Sequence, residues 1–502
     1  MYNLKFLSFS PKFYNIVLNY ILFIFLIIIT LYRIHFLSIN GFNLYADEAQ
    51  YWDWSRNLFF GYYSKPPMIA WLIRLFTNVC GDTEFCIRLG SPIMHLLTSF
   101  VLIAISYKLY QNLLLSLITA IIYITLPAVT LSSALITTDT LLLFFWALGV
   151  YFFLCILEDT KNIGYWTLAA ISIGLGCLSK YNMIIFLPSG LLYILWSRQH
   201  SLKQFLFNYR TWYGLIIVFL IYLPNLLWNF NNHFVSYQHT KEISNLHRSL
   251  FHPEKLLEFW GAQIIIFGPI MVYLFIRSLR ALREEKKILL SFIIPFFLII
   301  SILSLLSGAF ANWAAPIYIT ATVQATAFAF YSTKRHLLIY SLILHLLTAM
   351  IFYNYHDLAK FFNVKLAANG QVLTRDPFKK LKGWKELGES ITKLKLAYPQ
   401  TSLLVDDRKL LVELNYYVKS YPVDIYKWNY FTAIRDHYDL TKKVDYNLLG
   451  KNFLFITSNQ DINSLKGYFN SILYISTISI NLYKNYSLTY YVYYLEHLIK
   501  VP

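Results

Sequence analysis

Long, uninterrupted apolar runs decide what this chain can fold into. The first, "YNIVLNYILFIFLIIITLY" at 14–32, carries no charge at all. About 20 such residues are enough to cross a bilayer as a helix, and the run has no polar face to show to water. Further runs follow near 91–109, 112–130, 140–157, 164–179, 182–197, 211–228, 260–277, 288–307, 314–331 and 336–354. With the first placed at 14–36, they predict a mainly α, polytopic membrane protein of about 11 to 13 spans. The runs at 164–179 and 182–197 are short and interrupted by Gly174, Gly176, Lys180 and Pro188, so their boundaries are soft. Lys5 and Lys12 precede the first run as a signal peptide's basic region would. The run is too long for such a signal, however, and no small-residue cleavage site follows, so it reads as an uncleaved span.

The charge balance needs locating before it can be interpreted. The formal charge is +17, which on a soluble chain would suggest nucleic acid. Only 14% of the residues are charged, against about 25% in soluble proteins, and many lie in short loops between apolar runs. There they act as topology signals. With the N-terminus inside, Lys108, Lys161, the group Arg198/Lys203/Arg210, the cluster "RSLRALREEKK" and Lys334/Arg335 all fall inside. The short outer loops 131–139 and 308–313 contain no Lys or Arg.

Three longer segments then lie outside: 38–90, 229–258 and the region from 355 onward. The last has more charge, β-rich runs ("TSLLVDD", "NFLFITS") and a helical candidate, "GWKELGESITKLKLAY". That alternation predicts a small α/β domain at 355–502, beside a membrane domain at 1–354 that includes the first outer loop. The Tyr- and Asn-rich patch "YKNYSLTYYVYY" reads as compositional drift, and no repeat is apparent. The four cysteines lack metal-ligand spacing; Cys80 and Cys86 share one loop and either pair in an oxidising compartment or stay as free thiols.

The outer loop "YADEAQYWDWSRNLFFGYYSKPP" (45–67) opens on adjacent acids, Asp47 and Glu48. Two interfacial helices are expected here, one through "EAQYWDWSRNLFFG" and a proline-started one through "KPPMIAWLIRLF". A belt of interfacial Tyr and Trp accounts for the aromatics. It does not account for carboxylates beside apolar surface, where charge is costly unless used or paired.

Other polar groups map to the same side. Asp139 begins a span, as a helix N-cap or as a site residue. Lys180-Tyr181 ends one, where snorkelling is the plain alternative. His233 and His239 sit in the loop after 228, and Asn312-Trp313 forms a turn between spans. Acids, lysines and a histidine at one interface point to chemistry on an amphiphilic, anionic lipid: a carboxylate takes an acceptor's proton and lysines hold a phosphate.

The run from Asp47 to Pro92, "DEAQYWDWSRNLFFGYYSKPPMIAWLIRLFTNVCGDTEFCIRLGSP", resembles the first periplasmic loop of bacterial protein O-mannosyltransferase-like enzymes of the GT-C superfamily. That superfamily also contains the lipid A aminoarabinose transferases. "TTDTLLLFFW", "GLGCLSKY", "LPNLLWNFNNHFVSYQHT", "GAQIIIFGPI", "ANWAAPIY" and "DPFKKLKGWKELG" extend the resemblance over nearly the whole chain. It implies a membrane enzyme of the bacterial inner membrane with its C-terminal domain in the periplasm. The implied reaction is inverting transfer of one sugar from a polyprenyl-phosphate carrier to lipid A, another glycolipid, a glycan or a protein.

By motif position, Asp47 is the acceptor base with Glu48 beside it, and Asp139 is a second reacting-site carboxylate. Lys65 holds the carrier phosphate, assisted by Lys180, with Arg56, Tyr63, Tyr181, His239 and Asn312 completing the donor-binding set. Ser64 departs from the pattern: the aminoarabinose branch has there an acid that helps bind a metal. No metal is therefore assigned, although a divalent ion remains compatible. The competing classes are a flippase for a lipid-linked glycan, which should show inverted repeats and broken helices near mid-membrane, and a receptor or scaffold, which leaves the loop acids unexplained.

Overall fold

The computed structural model describes residues 11–243, 251–280, 284–362, 364, 367–368, 371–372, 376–420, 422–430, 433–483 and 486–502. Lys5, Arg283, the middle of the 229–258 loop, and Lys484-Asn485 of the Tyr-rich patch lie outside the described residues. The chain divides into two compact units. One comprises the residues up to Ile39, Lys65–Ile69 and Arg88–Tyr353; the other comprises Asn40–Ser64, Ala70–Ile87 and Asn354–Pro502.

The first unit is helical, and every expected span coincides with a helix or a pair of helices. Among the described residues, six helices are long and apolar enough to cross a membrane. A seventh is obtained if the pair Pro253–Phe267 and Pro269–Ser278 counts as one span. The remaining apolar helices run only 10–17 residues, because the chain breaks inside its apolar runs. Pro127 restarts the helix after Leu113–Thr125. Gly268 turns the chain by 101° between its two helices, at φ +89°, where a side chain is strongly disfavoured. A Cβ there would also lie 2.5 Å from His345 Nε2.

Burial separates centre from periphery. Ile16–Ile39, Tyr209–Asn231 and His336–Tyr353 bury only 17%, 17% and 22% of their most apolar window, whereas Thr138–Glu158 buries 67%. The first three present lipid-facing surface; the last forms the core, with Trp146 packed edge-on against Phe186, Phe292 and Phe296. The one charge near the end of the first span, Arg33, is buried and bonded to Ser133 Oγ, Thr130 Oγ1 and the Ile124 carbonyl, which supplies the partners a membrane arginine requires. Lys108 meets Glu158 at 2.5 Å, so the C-terminal ends of Glu84–Tyr110 and Thr138–Glu158 lie at one level.

The second unit is α/β. Its five-stranded sheet runs in the order Ile425–Lys427, Thr401–Val405, Asn452–Thr457, Tyr486–Leu498, Phe469–Tyr483. The first three strands are parallel, with Leu403 paired to both Ile425 and Leu454. The last two form an antiparallel hairpin whose Tyr493 pairs with Phe455. The expected strands at "TSLLVDD" and "NFLFITS" and the expected helix, now Trp384–Ala397, are present. The reading of "YKNYSLTYYVYY" as drift is corrected: from Tyr486 onward it is a strand with neighbours on both sides. Tyr and Val suit a pleated, half-buried surface, and the strand's asparagine-rich flank hid that pattern.

Both expected loop helices form, at Ala46–Arg56 and Met68–Cys80. Within this unit the loop is tied to the C-terminal residues. Asn43 Oδ1 accepts from the Trp384 N–H at 2.9 Å, and Tyr417 Oη accepts from the Leu44 N–H at 2.7 Å. Cys80 and Cys86 are joined in a disulfide, which settles the alternative left open by sequence.

Candidate active site

Three of the expected site residues meet in the first unit. Asp139 lies in the first turn of Thr138–Glu158, Lys180 caps the end of Ile163–Ser179, and Asn312 lies in a 3-10 turn at Ala311–Ala314. Lys180 Nζ is 2.6 Å from Asp139 Oδ1, and Asn312 Nδ2 donates to Asp139 Oδ2 at 2.7 Å. Asp139 and Lys180 are both buried. Thr137, at the helix start, makes no side-chain capping bond. Both oxygens of the carboxylate thus serve Lys180 and Asn312.

Lys180 is held there because Ile163–Ser179 packs tightly. A Cβ on Gly174 would come within 2.9 Å of Ile221 on the neighbouring helix Tyr209–Asn231. Tyr181, the next residue, lines an apolar groove of about 600 Å³ with Leu187, Leu215, Val218 and Phe219 among its walls. Helix Val235–Ile243 contributes Ser236, Tyr237 and Thr240 to that wall. His239 rides the same helix, half-buried, but does not line the groove. Lys65 is half-buried just before Pro66 and Pro67.

The second unit holds the loop acids, and they do different work. Glu48 is buried and closes a capping box, its Oε2 accepting from the Tyr45 N–H at 2.9 Å. Asp47 keeps 43% of its side chain exposed and pairs with Arg408 at 3.0 Å; Arg408 is held in turn by Gln50. Arg56 pairs with Asp82 at 2.8 Å and donates to Thr77 at 2.6 Å, bracing the loop. Tyr63 is buried.

Sequence reading missed Arg408, which has no motif of its own and reaches Asp47 only through the fold. It also passed over Asp53, in the quoted loop, whose carboxylate accepts from Asn415 at 2.7 Å and Tyr438 at 2.8 Å. Burial pushes the Asp53 carboxyl above the usual range despite those bonds. Beside it, burial and then Lys442 hold His437 down to about 4.

Among the described residues, no group of three His, Cys, Asp or Glu is placed to hold a metal ion. With Ser64 in the position of the related acid, these residues do not fit one, and no step is derived through a metal.

The family described as dolichyl-phosphate-mannose-protein mannosyltransferase matches residues 64–228. Lipid A galacturonosyltransferase RgtD of Rhizobium johnstonii is 30% identical over 408 residues, covering 79% of this chain and 82% of that protein. The chain belongs to the GT-C glycosyltransferases. As a GT-C enzyme it also shares its fold with ArnT from Cupriavidus metallidurans, solved bound to undecaprenyl phosphate: the TM-score is 0.65 at 15% identity, over 94% of this chain and 97% of that one. Membership makes this multi-pass protein a membrane glycosyltransferase and sets aside the flippase and scaffold readings. The GT-C architecture also accounts for the small sheet-containing unit that accompanies the helices.

Proposed function

We propose that this glycosyltransferase moves one sugar from a polyprenyl-phosphate carrier to a lipid, glycan or protein acceptor, with inversion, at the periplasmic face of the bacterial inner membrane. The observation that carries this reading is the Lys180–Asp139–Asn312 cluster. A carboxylate bonded on both oxygens fixes a buried ammonium, whose remaining donors meet no acceptor among the described residues and can take a phosphate. The apolar groove that begins at Tyr181 suits the hydrocarbon next to that phosphate. Lys65, Arg56, Tyr63, Tyr181 and His239 make up the rest of the donor set.

Asp47 acts as the base. Its carboxylate is accessible, and the bond from Arg408 holds it in place. A hydroxyl acceptor needs that base, whereas an acceptor phosphate needs mainly orientation. Glu48 supports the base by fixing the helix that carries it. In this reading the helical unit is the catalytic membrane domain, and the α/β unit, which takes in residues 40–64 and 70–87 of the first loop besides 354–502, is the soluble part on the periplasmic side. The named relatives act on lipid A or were solved with undecaprenyl phosphate, which supports a lipid-linked donor and a lipid acceptor.

The test compares envelope glycolipids from cells with and without the protein by mass spectrometry. A single sugar mass lost from one glycolipid class is expected; identical profiles count against the reading. Reporter fusions after residue 355 should report the periplasmic side, and a cytoplasmic signal overturns the proposed face.

A further inference from the structure

A second groove, of about 500 Å³, lies within the α/β unit and serves none of the roles above. Lys379, Lys380, Lys382 and Lys409 line it, with Trp384 and Tyr490 among its aromatic walls and no acidic residue in its lining. Among the described residues, only Lys382 of these four has a carboxylate partner: it meets the buried Asp376 at 2.9 Å. Among the described residues, Lys379, Lys380 and Lys409 form no ion pair, and the Lys380 ammonium stands 5.5 Å over the Tyr45 ring. Like charges gathered in a concavity repel, and a protein that leaves them unneutralised has left a place for an anion.

Three helices begin at this groove, with Ala46, Trp384 and Lys409 in their first turns. Glu48 meets the first of these ends and Asp407 the third. The first N–H groups of Trp384–Ala397 donate to the neutral Asn43 side chain, and Glu386 stands in that helix's first turn. The volume lies in the range of ligand-sized clefts, and aromatic walls beside ammonium groups suit an anionic sugar better than a bare ion.

Tyr45 and Ala46 form one lip of the groove, and Asp47 is the next residue. We propose that this groove binds the headgroup of the acceptor, a sugar bearing phosphate or carboxylate groups, and so presents it to Asp47. The proposal rests on the transfer reading for its purpose, but its binding step can be measured alone.

The full chain in phosphatidylcholine nanodiscs is titrated with a bisphosphorylated, acylated glucosamine disaccharide and with the same lipid after phosphatase treatment. The phosphorylated probe should bind about tenfold or more tightly than its neutral counterpart. Lys379→Ala/Lys409→Ala should abolish that preference and Lys379→Arg/Lys409→Arg should keep it. Equal binding of the two probes, or a preference that survives in the alanine pair, overturns the proposal. So does equal competition by phosphatidylglycerol, which would mark a plain membrane-surface contact. Transfer from a polyprenyl-phosphate sugar is followed in the same samples. Phosphate-dependent binding without transfer sinks the catalytic reading and leaves the groove standing; transfer with phosphate-independent binding does the reverse.

Discussion

Lys180 places its ammonium 2.6 Å from Asp139 Oδ1, with both side chains buried at the ends of two membrane helices. Charges withdrawn from water are tolerable only as a set, because each is costly once its partner is removed. Their pairing ties the stability of the helical unit to the residues proposed for phosphate binding.

Asp139→Asn should therefore destabilise the protein by about 3–5 kcal/mol, the cost of stranding a buried lysine. Adding Lys180→Met should restore much of that loss without restoring transfer. Thermal unfolding in detergent checks both. If Asp139 were merely a helix cap, asparagine would replace it at almost no cost.

Asp47→Asn should lower transfer by about 10²–10⁴-fold, the usual worth of a general base. It should change stability by less than about 1 kcal/mol, since the pair with Arg408 is partly exposed. The kcat of the purified variant decides this, and an unchanged value removes Asp47 from the mechanism.

Glu48→Ala should cost about 1 kcal/mol through loss of the capping box, while Glu48→Gln keeps most of that stability. Comparing Tm values of the two variants separates this support from catalysis. Glutamine should then transfer sugar nearly as well as the parent.

The α/β unit should also weaken in acid. His437 is held at about 4 by burial and then by Lys442, whereas an unfolded histidine titrates near 6.5. The unfolded chain takes up that proton first, so stability present above about pH 6.5 is lost as the pH falls toward 4. Asp376 has the same sign at lower pH: burial raises its carboxyl, but bonds from His356, Tyr483, Lys382 and the Phe378 N–H together hold it well below the usual range. Melting temperatures should drop between pH 7 and 4.5, with a shallower slope in His437→Gln.

The helical unit was legible in the sequence because apolar runs and charged loops carry their meaning locally. The positions of Asp139, Lys180 and Asn312 on one side followed from counting spans, and the fold then joined them within hydrogen-bonding distance. What could not be read was pairing across long stretches of chain. Arg408 and the lysines of the second groove look like ordinary solvated charges until the sheet and its helices set them beside residues 45–47. The breaks at Gly268 and Pro127 were equally hidden, since apolar composition continues through them while the helix does not.

The bond between Asp47 and Arg408 spans 361 residues of chain. At about 5–20 residues per second, a ribosome needs roughly 20 to 70 s to make the second partner after the first. Over that interval the loop lacks Arg408, and for still longer it lacks Tyr438, which is bonded to Asp53 across 385 residues. A nascent or truncated chain can thus insert its helices while its proposed base is still unsupported. Competence for transfer arrives last, when the final strands close the sheet.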